Sequence, residues 1–130
     1  MVMNSMFLDA CAIIAIMKSE PSAIDYISAL SNVPEPCTSA LAAFEAVLVL
    51  SRPENFNCSF LEAEIFVMRW LDARNIKLQN AHSEREILSY AVAVANDKGI
   101  SRRSLNAFDC FHYAYAKVMK MPLLTLDQKL

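Results

Sequence analysis

The chain predicts an α/β fold in three layers, with helices on both faces of a central parallel sheet. Three observations lead there. Short apolar runs alternate with longer helical stretches along the 130 residues, the pattern of buried parallel strands joined by helical crossovers. The hydrophobic fraction is 55%, with a single Gly and five Pro, which excludes disorder and favours long, uninterrupted helices around a large core. The sequence has no internal repeat, no low-complexity tract and no linker, so residues 1–130 read as a single domain.

Each element has its own local signal. Met6-Phe-Leu8 is a short apolar run ending at Asp9 and reads as a buried strand. Ala10 to Met17 reads as a helix, and Pro21 suits the first turn of a second one through Ile24, Ile27 and Leu30. Pro34 and Pro36 end that helix, and Cys37-Thr38 is a very short strand. Ser39 to Leu50 is a helix rich in Ala and Leu, stopped by Ser51-Arg-Pro53. Ser59-Phe-Leu-Glu62 is a capping box that opens a helix through Trp70. Ile76-Lys-Leu-Gln79 alternates and predicts a strand with one polar face. A second capping box, Ser83-Glu-Arg-Glu86, opens a helix to about Ala95, with Gly99 placed for a left-handed cap. A basic loop spans 100–104, Asn106 caps a helix from Ala107 to about Met119, and Pro122 to Leu126 forms the last strand.

Composition narrows the function. Twelve Lys and Arg against 14 Asp and Glu give a formal net charge of −2, so a broad basic surface for gripping long nucleic acid is not expected. Cys11, Cys37, Cys58 and Cys110 show no CxxC or Cys/His pairing, which argues against zinc and for small core hydrophobes in a reducing, cytoplasmic setting. The N-terminus lacks a basic leader, and Ala12–Met17 is too short to span a bilayer.

Four carboxylates stand alone in apolar surroundings: Asp9, Glu45, Asp109 and Asp127. An ionised carboxylate taken from water costs roughly several kcal/mol unless a partner compensates it. No Lys or Arg lies within three residues of Asp9, Glu45 or Asp109. In an open α/β sheet the site lies beyond the carboxyl ends of the strands. Asp9 and Asp127 directly follow predicted strands, and Glu45 and Asp109 sit near the N-terminal halves of helices that begin at that edge. Each acid also has an ordinary explanation. Asp9 and Asp127 could cap the elements that follow, Glu45 could pair with Arg52 or Arg69, and Asp109 could answer the dipole of its own helix.

Together the acids suit Mg²⁺ or Mn²⁺, hard cations that prefer oxygen ligands. Such an ion relieves carboxylate repulsion and supports hydrolysis of a phosphodiester. Other chemistry is poorly supported. With one Gly there is no Walker loop and no GxGxxG, and with two His a Ser or Cys nucleophile has little choice of base. His112 reads as a partly buried, hydrogen-bonded group rather than a ligand. Phe108, Phe111, Tyr113 and Tyr115 read as core, and Lys98, Arg102 and Arg103 as either a phosphate-holding cluster or a solvated loop.

Four blocks in order resemble the PIN-domain ribonucleases, and more narrowly the VapC-type toxins of bacterial toxin–antitoxin pairs: Phe7 to Ile16 with Glu20-Pro21, Thr38 to Ala46, Leu105 to Lys117, and Pro122 to Asp127. The resemblance implies Mg²⁺- or Mn²⁺-dependent endoribonuclease activity on tRNA or rRNA loops, a homodimer, and a cognate antitoxin whose tail enters the acidic groove. It carries over Asp9, Glu45 and Asp109 as an acidic triad with Asp127 as the fourth acid, Asp9 and Asp109 being the principal metal ligands. Cys11 stands where relatives often have Ser or Thr, and Phe108 where they often have Gly. The chain ends three residues past Asp127, so this acid is expected to contribute least. Two alternatives remain: a catalytically idle PIN-like interaction module, and a receiver-type signalling domain, which lacks its expected second acid, central Asp and late Lys here.

Overall fold

The computed structural model describes residues 5–79, 83–98 and 107–125. Its elements are β1 (Ser5–Leu8), α1 (Ala10–Met17), α2 (Ala23–Ser31), β2 (Glu35–Thr38), α3 (Ala40–Leu50), α4 (Phe60–Ala73), β3 (Lys77–Leu78), α5 (Glu84–Lys98), α6 (Ala107–Met119) and β4 (Leu123–Leu124). The four strands run in the order β3-β2-β1-β4 and every neighbouring pair is parallel. The expected α/β architecture with a central parallel sheet is therefore present.

The layers follow from alternation along β1, whose successive side chains point to opposite faces. Leu8 packs into the cluster built by α1, α2, α3 and α4, with Ile13, Leu50, Val67 and Leu71 fully buried. Phe7 points the other way, joins Cys37 and Ala116, and stacks on the Tyr115 ring of α6 at 5.9 Å. Outside α6, Ile87 and Ala91 of α5 pack on Cys110 and Ala114.

Several boundaries differ from the sequence reading. Pro21 precedes the Ser22 cap instead of entering the first turn, because Ala23 N–H already bonds the Glu20 carbonyl at 2.9 Å in a turn leading into α2. Strand β2 begins at Glu35 and includes Pro36, since β3 reaches only Cys37 and Thr38 and the missing proline N–H removes no bond to that neighbour. Helices α4 and α5 run to Ala73 and Lys98, and β3 and β4 are shorter than expected. Gly99, the 100–104 loop and Asn106 lie outside the described residues.

With one Gly in the chain, left-handed turns fall to other residues. Ser19, Asn75 and Lys120 have φ of 55°, 56° and 56° just past α1, α4 and α6. At each, the next N–H reaches back five residues, Glu20 to Ala15, Ile76 to Leu71 and Met121 to Ala116, at 2.9–3.1 Å. These are Schellman closures, and they send the chain from α4 into β3 and from α6 into β4.

One side chain ties the two central strands together at their carboxyl ends. The buried Thr38 hydroxyl donates to the Leu8 carbonyl at 2.7 Å. Thr38→Val keeps the shape and removes the donor, so it should destabilise the fold by about 1–2 kcal/mol. Urea unfolding checks this, and an unchanged midpoint would show the bond to be dispensable.

Candidate active site at the carboxyl edge of the sheet

Strand β1 ends at Leu8, and Asp9 then caps α1 with an extended backbone. Its Oδ1 accepts the Ala12 N–H at 3.0 Å, so the capping role is real. The carboxylate is fully buried, and Oδ2 has no hydrogen-bond partner among the described residues. Capping thus occupies one oxygen and leaves the other. Burial pushes the Asp9 pKa up; the Thr125 side chain, the Ala12 N–H and His112 pull it down, and the Glu45 charge adds to the rise. The net direction is upward.

Strand β2 ends at Thr38, and Ser39 caps α3 by accepting the Ala42 N–H at 3.0 Å. This starts α3 beside α1 and carries Glu45 toward α6. There the Glu45 Oε1 lies 2.8 Å from Nε2 of His112. The sequence offered Arg52 or Arg69 for Glu45; the partner found among the described residues is His112 instead. Both arginines are exposed, whereas the Glu45 side chain is only 16% accessible and turned inward.

His112 is more buried than its surroundings in sequence suggest, at 1% exposure. Phe108, one turn earlier, flanks its ring at 6.4 Å and 26°. The Nδ1 atom is buried without a partner. Asp109 lies three residues before His112 in the first turn of α6 and is also buried, where a carboxylate complements the helix dipole.

The structure therefore groups Asp9, Glu45 and His112 electrostatically and places Asp109 on the helix that carries His112. Asp127 lies outside the described residues, as do Arg102, Arg103 and the Lys98 side chain. Sequence reasoning missed three contributors: Thr38, Thr125 and Tyr26. Thr125 is the lone polar residue of Leu123-Leu-Thr-Leu126, a signal that was available. Tyr26 on α2 is buried with an unpartnered hydroxyl, and burial, then Asp9, Cys11 and Glu20, hold its phenol well above the ordinary range. Nothing near Tyr26 in sequence announced this. Cys37 behaves as the core hydrophobe expected, its thiol pushed up to about 11 by burial.

The donor chemistry fits a hard dication. Asp9 has a buried carboxylate oxygen outside any hydrogen bond among the described residues and feels the charge of a second carboxylate, Glu45, and both offer oxygen. Among the described residues no three His, Cys, Asp or Glu side chains stand close enough together to hold an ion by themselves. The fourth acid of the expected set is not among them.

The raised Asp9 pKa has a consequence for stability. The native state binds this proton more tightly than the unfolded chain, whose ordinary value is 3.8. The contribution of Asp9 is therefore full below that value and is lost as pH rises through the folded-state pKa. At neutral pH the ionised group weakens the metal-free fold. Asn caps helices as well as Asp does, so Asp9→Asn should raise the melting temperature of the metal-free protein at pH 7. Thermal unfolding by circular dichroism in chelator checks this; a lower melting temperature would show the charge to be well compensated.

No curated protein matches the chain at a significant level. A family model for the PIN domain matches residues 6–130. That span takes in the β1–Asp9 corner, the α3 helix with Glu45 and the α6 helix with Asp109 and His112, and the chain belongs to the PIN domain family.

Proposed function

We propose that the protein is a Mg²⁺- or Mn²⁺-dependent endoribonuclease that cuts structured RNA, tRNA or rRNA, as the toxin of a toxin–antitoxin pair. PIN domains are in general nucleases that use divalent ions, and family membership supports that much directly. The observation that supports metal dependence is Asp9: a fully buried carboxylate with Oδ1 spent on a helix cap, Oδ2 outside any hydrogen bond among the described residues, and the charge of Glu45 felt at the site. A purely structural cap does not need that second oxygen buried and bare.

Asp9, Glu45 and Asp109, with Asp127, would hold the ion. When bound, the ion would polarise a phosphoryl oxygen and lower the pKa of a water beside it. Glu45 has its Oε1 engaged by His112, so its other oxygen would be the one to orient or deprotonate the attacking water. Asp9 Oδ2 is held rigid because its sister oxygen is fixed to the first turn of α1. Burial of Asp9 and Asp109 keeps bulk water from both carboxylates.

The toxin role is supported by the four sequence blocks and by an apolar groove of about 330 Å³ between α3 and α4, lined by Phe44, Val47, Phe60, Leu61 and Leu78. Exposed aromatic and aliphatic side chains of this kind suit a protein partner, an antitoxin or a second copy in a homodimer. Among the described residues no helix is long and apolar enough to cross a membrane. The receiver alternative loses ground, because that fold orders its strands 2-1-3-4-5 and this sheet runs β3-β2-β1-β4. The idle-module alternative is decided by activity.

Purified protein should cleave RNA with Mg²⁺ or Mn²⁺ and stop in chelator; cleavage that persists in chelator contradicts the mechanism. Asp9→Asn or Asp109→Asn should cost at least about 100-fold in rate, a ligand's share of several kcal/mol, in a protein that stays folded. Unchanged cleavage by either rejects its role. Asp127→Asn should cost less than either, and an equal loss would show that the C-terminal acid is a full member of the site.

A further inference from the structure

We propose that His112 is a positioning residue for Glu45: its Nε2–H holds Oε1 and fixes the direction in which the carboxylate meets the ion and the attacking water. The inference rests on the nuclease reading and adds a residue to that same site.

The geometry is direct. A carboxylate oxygen and a ring nitrogen 2.8 Å apart are both acceptors unless a proton lies between them. The proton therefore belongs on Nε2, and Nδ1 is the ring atom left over, in agreement with its having no partner among the described residues. The bond crosses from α3 to α6, so it ties the helix that carries Glu45 to the helix that carries Asp109. Glu has one more rotatable bond than Asp, and fixing such a long side chain costs more rotamer freedom. Asp9 and Asp109 are short and buried at helix starts, and Asp9 is already locked by its cap. Glu45 is the acid that needs outside help, and a bond made on folding removes that cost from the reaction.

A packing role explains the residue less well. His112 is 1% exposed, and its Nδ1 is buried without a partner, which destabilises a fold. An aromatic hydrocarbon would fill the space beside Phe108 without that cost. The polar ring stands where it weakens packing and bonds Glu45, a trade of stability for the orientation of that acid.

Three variants and one spectrum test this. His112→Phe should weaken Mn²⁺ binding, measured by electron paramagnetic resonance without RNA, by about 10–100-fold. It should lower kcat by a similar factor with KM for RNA little changed. His112→Gln places an amide N–H near the Nε2 position and should recover most of both losses. His112→Asn places its amide near Nδ1 and should not. A folded Phe variant with wild-type Mn²⁺ affinity and kcat overturns the proposal, and so does rescue by Asn but not by Gln. Should the Phe variant fail to fold, the Gln and Asn pair alone decides. In the wild type, ring ¹⁵N–¹H correlation should show the proton on Nε2 of His112, with His82 as the chain's only other histidine; a proton on Nδ1 alone overturns the pairing. The spectrum needs neither RNA nor metal, so a wild-type protein that cuts no RNA refutes the nuclease reading and leaves the pairing to be judged by the ring proton.

Discussion

Asp9 is asked to do two things that ordinarily exclude each other. It closes the first turn of α1 through Oδ1, and it keeps a charged group out of water with Oδ2 unmatched. The cap gives the carboxylate a fixed orientation that solvent cannot disturb. Burial then makes its ionised form expensive, and a nearby second carboxylate makes it more so. The corner between β1 and α1 is thus stable as a shape and unstable as a charge distribution, and a cation is the simplest relief for that imbalance.

The rest of the fold keeps that corner in place. Asp9 N–H donates to the Leu124 carbonyl at 3.2 Å, so β4 is aligned with the end of β1 and brings Thr125 beside the carboxylate. On the other side Thr38 donates to the Leu8 carbonyl, which fixes the end of β2 against the residue just before Asp9. Ser39 then starts α3 from the same edge. Three strand ends and two helix starts share one rim, and parallel topology is what puts them there: every strand of the sheet finishes on the same side. An antiparallel arrangement of the same segments would scatter the acids over both ends.

The architecture was legible because its signals are local. Alternating apolar runs, the Ser59 capping box with both of its bonds, and the Ala-rich α3 each follow from a few neighbouring residues. The errors of boundary arose where distant parts decide. Pro36 enters β2 because β3 is short, and α4 runs past Trp70 because Leu71 is needed in the core and Arg74 can stack on the indole at 5.0 Å. At the site, Asp9 was legible as an acid against an apolar background, but its divided use of two oxygens was not. The partner of Glu45 was not legible for a simple reason: charge alone offers arginine as the ordinary alternative, and both candidate arginines stay in solvent, while the partner is a histidine 67 residues away on another helix. Tyr26 was invisible for the same reason, since its neighbours come from α1 and the turn after it.

Asp9 and Glu45 are held in place by different means. Asp9 is short and rooted in the backbone through its cap, with the Thr125 side chain beside it. Glu45 is longer, partly accessible, and reaches from the middle of a helix whose own backbone bonds are already made. It can be oriented only by another side chain, and that side chain must come from across the sheet edge, because α3 itself has Ala, Phe, Val and Leu around it. His112 meets this need at 2.8 Å while belonging to α6, so the orientation of Glu45 depends on α6 being docked. Helix α6 docks through Phe7 and Tyr115 on the sheet and through α5 behind it. The orientation of Glu45 is in this way coupled to the packing of the whole second layer.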